Sequence, residues 1–131
     1  MFGDNGLLRR VLAFDAVTCG AMGIGLIAGA TPVAEITGLP SAALPGVGTA
    51  LIGFAGVLGW LATRVIIPGG PVRAIVAGNL VWSIASVALT VSGAVALTGL
   101  GQAAVLAQAI AVLIIAELEV LGLRREHMVT A

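Results

Sequence analysis

Five residues carry most of the chemistry this sequence could do: Asp15, Trp60, Asn79, Glu117 and Glu119. Each is polar or amphipathic, and each falls inside a long apolar run. Their depth follows from distance along the chain to the nearest arginine. Asp15 lies six residues past Arg9 and Asn79 six past Arg73, each about 9 Å at helical rise. Glu119 lies five residues before Arg124, about 7.5 Å, Glu117 about 10 Å, and Trp60 about 6 Å from Arg64. The five residues therefore fall near one level, with Trp82 slightly deeper. Charged groups inside apolar spans are default functional candidates. Three roles are open to them. They can pair with Arg9, Arg10, Arg73 or Arg124 and fix helix register. They can form a vestibule carrying a proton or cation, with Asp15 and Glu119 as carriers. They can also be a contact surface for a partner protein. Glu117 and Glu119 cannot face the same way, because two residues turn a helix by about 200°. Glu119 shares a stripe with Ala104, Gln108, Ala111 and Ile115 and is expected inward. Glu117, on the side of Leu106, Ile110 and Leu113, is expected outward, where it can snorkel toward the headgroups, bind a partner subunit or be protonated.

Other chemistries lack their residues. His127 and Cys19 are the only histidine and cysteine, too few for a zinc site and without a spanning histidine to ligate haem. Cys19 reads as a small packing residue. Gly23 and Gly25 follow no strand, so they make no dinucleotide fingerprint. No Ser/His/Asp set lies at one depth. Tyrosine is absent and only 4% of residues are aromatic, which argues against an aromatic cage. Without a basic patch, nucleic-acid binding is not expected. The expectation is a protein without catalytic activity, cofactor or metal.

The elements that must position these residues follow from composition. Of 131 residues, 60% are hydrophobic and 9% charged, with zero net charge. A soluble domain is about a quarter charged, so this chain belongs in a membrane. Four runs approach the roughly 20 apolar residues that a spanning helix needs: 11–30, 44–67, 72–95 and 101–123. They define an all-α membrane protein, a single domain of four transmembrane helices in a bundle. Pro32, Pro40, Pro45, Pro68 and Pro71 all fall outside the span interiors, where helix breakers belong. Arg9 and Arg10, Arg64 and Arg73, and Arg124 and Arg125 then share one side. By the positive-inside rule both termini are cytoplasmic. Arg9-Arg10, an apolar stretch and Ala28-Gly29-Ala30 loosely match a cleaved signal. The stretch is too long, and Asp15 interrupts it, so the first span is expected to be retained.

Between the spans, Ile67-Pro68-Gly69-Gly70-Pro71 makes a tight turn that predicts a hairpin of spans two and three. Thr31-Pro32 predicts an N-cap and first helical residue of a short outer helix, ended by Gly38 and Pro40. Helices in lipid associate through close backbone approach and interhelical hydrogen bonds. Gly25 and Gly29, Ala55 and Gly59, and the series Gly53, Gly56 and Gly59 are the expected small packing faces. On span three, Asn79, Ser83, Ser86, Thr90 and Gly93 share a stripe at helical spacing. A shift of 64 residues puts Arg9 on Arg73, Asp15 on Asn79 and Cys19 on Ser83. That suggests a parallel pseudo-repeat of two helical hairpins.

Four stretches together carry a resemblance: Leu7-Leu8-Arg9-Arg10 through Asp15, Glu35-Ile36-Thr37-Gly38-Leu39-Pro40, Gly78-Asn79-Leu80-Val81-Trp82, and Ala116-Glu117-Leu118-Glu119 through Leu123-Arg124-Arg125. The chain resembles a group of uncharacterised short four-span bacterial integral membrane proteins. The resemblance implies a bacterial inner membrane and no function. The small multidrug resistance transporters also have four spans, but they carry an essential glutamate midway along the first, where this chain has none. The functional expectation is an accessory subunit or helix-packing scaffold, in contact with the lipid bilayer and other membrane helices as a homo-oligomer or larger complex. The alternative is a proton- or cation-coupled small-solute transporter acting as an oligomer.

Overall fold

A backbone surrounded by hydrocarbon must satisfy its own N–H and C=O groups, so long apolar runs become helices. In the computed structural model, which describes residues 2–130 and the side chains of 6–124, five helices follow one another. They are α1 (Phe2–Ala28), α2 (Ala30–Thr37), α3 (Leu44–Ala62), α4 (Gly69–Ser92) and α5 (Gly99–Thr130). Among the described residues there is no strand. Four of the helices hold stretches long and apolar enough to cross a membrane: Gly6–Ala28, Leu44–Ala62, Gly69–Ser92 and Gly99–Arg124. The shortest has 19 residues, about 28 Å at helical rise against a hydrocarbon core of about 30 Å.

Helix ends depart from the expected spans for local reasons. The second span stops at Ala62 instead of Ile67. Its last turn tightens as Thr63 N and Arg64 N donate to Trp60 O and Leu61 O, both at 3.1 Å. Pro68 then disfavours helical backbone at Ile67. α4 begins before Pro71, which falls within its first turn, where a missing N–H does no harm. Gly93, at φ 71°, ends that helix in the left-handed conformation. Thr31 is not the cap of the short outer helix. Gly29 N donates to Gly25 O at 2.8 Å and Val33 N to Gly29 O at 2.9 Å. Helical bonding thus runs almost unbroken from α1 into α2, leaving Thr31 inside the helix. Gly38 ends α2 at φ 82°.

Packing order differs from chain order. α3 lies against α1, α1 against α5, and α5 against α4. α3 and α4 follow each other in sequence, but their backbones do not approach, so the expected hairpin of spans two and three does not form. The hairpins are instead α1 with α3 and α4 with α5. A true twofold repeat would match the α1–α5 junction with one between α4 and α3, and that side stays open. The core sits at the end nearest residues 63–68, where Leu8, Leu12, Leu58, Leu61, Ile67, Val72, Ile75 and Leu123 cluster. Arg9 closes this end: Nε donates to Ala62 O at 2.8 Å, and Nη2 donates to Arg64 O. At the other end Thr98 fastens α2 to α5. Its N–H donates to Thr37 O at 3.0 Å and its hydroxyl to Ile36 O at 2.7 Å. The same hydroxyl oxygen accepts from Gly101 N at 2.9 Å, capping α5.

The close crossing of α1 and α3 uses a different glycine pair from those expected. A Cβ on Gly23 would lie 2.6 Å from Gly48 O, and a Cβ on Gly48 would lie 2.6 Å from Gly23 O. Gly25, Gly53 and Gly56 have open space where a Cβ would stand. Gly29 would touch only its own local chain, and Gly59 would meet Ala16 Cβ at an ordinary 4.0 Å. The cause is angular. Gly23 continues the inward stripe of Leu8, Leu12, Asp15 and Cys19, and Gly25 lies about 200° further round. Ala55 does pack, facing Gly20.

Candidate polar site between the helices

The inward stripe of α1 carries Asp15, that of α4 carries Asn79 and that of α5 carries Glu119. Because α5 sits between α1 and α4, the three side chains converge on it. All three are buried, at 3%, 6% and 0% exposure. Asn79 Nδ2 donates to Glu119 Oε1 at 3.0 Å. The Asp15 carboxyl stands within hydrogen-bonding reach of Glu119. Cys19, one turn further along α1, donates its thiol to Asp15 Oδ1 at 3.3 Å. The remaining oxygens, Asp15 Oδ2 and Glu119 Oε2, are buried without a hydrogen-bond partner.

Among the described residues, Glu119 is not held by an arginine; the groups acting on it are Asp15 and Asn79. Arg9, the nearest arginine along α1, is engaged with carbonyls at the end of α3. Arg10 and Arg124 line clefts on the outer faces.

Glu117 and Trp60 lie apart from the cluster. Glu117 is exposed in a groove of about 490 Å³ on the outer face of α4 and α5, with Val76, Leu80, Leu113, Leu121 and Arg124. Trp60 is 56% exposed, and its ring takes the Arg64 guanidinium at 5.0 Å. The expected inner stripe of α5 is also revised. Ala104 and Ala111 are exposed, while Ala109, Ile115, Ala116, Glu119 and Leu123 are buried. With neighbours on two sides, α5 buries two flanks instead of one.

A second polar link joins α4 and α5 deeper in the spans. Trp82 Nε1 donates to Gln108 Oε1 at 2.8 Å, and Gln108 Nε2 donates to Ser86 Oγ at 3.0 Å. Ser83 Oγ donates to Ala109 O at 3.0 Å. Ser83 and Ser86 thus tie the two helices directly. Cys19 is the site member that sequence reasoning passed over. Its signal was its position four residues after Asp15, on the same helix face.

The site holds two acids, a thiol and an amide in apolar surroundings. Such a set can bind and hold a proton, and it contains no activated nucleophile. Among the described residues, no three His, Cys, Asp or Glu side chains stand together as metal ligands. No protein-family model, curated protein or solved structure matches the chain.

Proposed function

We propose that this chain is a non-catalytic integral protein of a bacterial inner membrane, a four-helix bundle with both termini cytoplasmic. It acts as an accessory subunit or scaffold for other membrane helices. One observation carries this reading: Gly25, Gly53 and Gly56 point outward with nothing within 4 Å of an added Cβ. In lipid, small residues on a helix surface favour close approach by another helix, and these contribute nothing to packing within the chain. Purification from native membranes in mild detergent should yield a self-oligomer or a stoichiometric larger complex. Gly53→Leu with Gly56→Leu should dissociate it and leave the chain folded. A solitary monomer that moves a solute in liposomes would end the proposal.

A second reading, the proton- or cation-coupled small-solute transporter working as an oligomer, is favoured by the buried carboxyl pair. It requires that Asp15→Asn and Glu119→Gln alter a measured flux. Unchanged flux in both variants removes it.

A further inference from the structure

We propose that Asp15 and Glu119 together form a binding site for a single proton, and that this proton fastens α1 to α5. The inference depends on neither functional reading, because it concerns how the helices are held together.

Each carboxyl has one satisfied oxygen: Asp15 Oδ1 takes the Cys19 thiol, and Glu119 Oε1 takes the Asn79 amide. Each also has one buried oxygen without a donor, Oδ2 on Asp15 and Oε2 on Glu119. The residues are 3% and 0% exposed and within hydrogen-bonding reach of each other. Two ionised carboxylates in that position would repel across an apolar gap, and each would keep a buried acceptor unsatisfied. A proton on either acid turns one carboxyl into a donor toward the other. One proton therefore halves the charge and supplies the missing hydrogen bond.

Among the described residues, the further titratable group that α1 sets against the pair is Cys19. From α4 the facing group is Asn79, which does not titrate. On α5 and α3 the buried residues Ala116, Leu123 and Leu58 are apolar. A metal cation is a poor alternative occupant. Hard cations take about six or more oxygens. This site has two free ones, and among the described residues no group of three His, Cys, Asp or Glu side chains could hold a metal.

The α1–α5 contact is the seam between the two hairpins, so the proton sits where the halves of the fold join. At neutral pH the folded chain holds a proton that an exposed carboxyl of the unfolded chain, titrating at about pH 4, has already released. Stability must then fall as pH rises, because it rises with pH only where the unfolded state binds more protons.

The test uses the full-length chain in dodecylmaltoside micelles. Infrared spectra of wild type, with and without ¹³C-labelled glutamate and aspartate, should show a protonated carboxyl band at neutral pH that disappears at alkaline pH. This readout needs no variant to fold. Below that range, while the folded chain still shows the band, the unfolding constant in mixed SDS micelles should rise about tenfold per pH unit, the slope for one proton, and it should level off where the band is lost. Glu119→Gln supplies a permanent donor to Asp15, so it should fold and lose both the band and the slope. Absence of the band in neutral wild type would overturn the proposal, as would a band and slope unchanged in Glu119→Gln. Replacement of the proton dependence by a dependence on sodium, at constant ionic strength against choline, would also overturn it.

Discussion

Substituting alanine for Gly23 tests where α1 and α3 cross. The added Cβ would stand 2.6 Å from Gly48 O, 2.8 Å from Ile52 Cγ1 and 3.2 Å from Ile52 N. Two of these neighbours are backbone atoms of α3 and cannot turn aside, so the helices must part by several tenths of an ångström. A gap of about 0.5–1 Å forfeits a quarter to a half of the dispersion well for each contact across it. α1 and α3 are packed along most of their length, and overpacking of this kind costs about 1–3 kcal/mol. Gly25→Ala is the internal control. It lies two residues away on the same helix, with open space at its Cβ. Both substitutions gain the same preference of alanine over glycine for helix, about 1 kcal/mol, and the difference between them cancels it. Gly23→Ala should therefore be about 1–3 kcal/mol less stable than Gly25→Ala. The assay is unfolding of the monomer in mixed micelles with increasing SDS, followed by far-ultraviolet circular dichroism. Equal stability of the two variants, or a more stable Gly23→Ala, would refute the crossing point.

Two further outcomes are expected. Arg9→Gln removes the charged donor to Ala62 O and Arg64 O. It should cost about 1.5 kcal/mol in the same unfolding assay, the low end for bonds to a charged group because part of the contact is exposed. A loss no larger than that of Arg10→Gln would show that Arg9 does not close the end of α3. Gln108→Leu breaks the link from Trp82 to Ser86. In a Trp60→Phe background it should shift Trp82 emission to the blue and cost about 1 kcal/mol, near 0.6 kcal/mol for each intramembrane hydrogen bond lost. Unchanged emission would rule out the Trp82–Gln108 bond.

Much of this protein could be read from its order of residues. A charged share of 9% and four apolar runs leave the backbone no solution in lipid except helices. Gly38 and Gly93 mark two helix ends because only glycine takes a positive φ without strain. Depth along each helix was legible too, since rise per residue is constant, and it put Asp15, Asn79 and Glu119 at a common level. The inward stripe of α1 was also present in the spacing of Leu8, Leu12, Asp15, Cys19 and Gly23, although the small-xxx-small spacing of Gly25 and Gly29 pointed elsewhere. What periodicity cannot supply is which helix a stripe faces. In an apolar solvent every face is nearly equally acceptable, so composition does not distinguish outward-facing glycines such as Gly53 and Gly56 from buried ones such as Gly48. Only the tertiary structure decided that α3 turns to α1 and leaves α4, that α5 lies between α1 and α4, and that Arg9 is taken up by the end of α3. Those three choices bring Asp15 to Glu119. The partner of a buried charge depends on the packing of distant helices, which the local sequence around that charge does not encode.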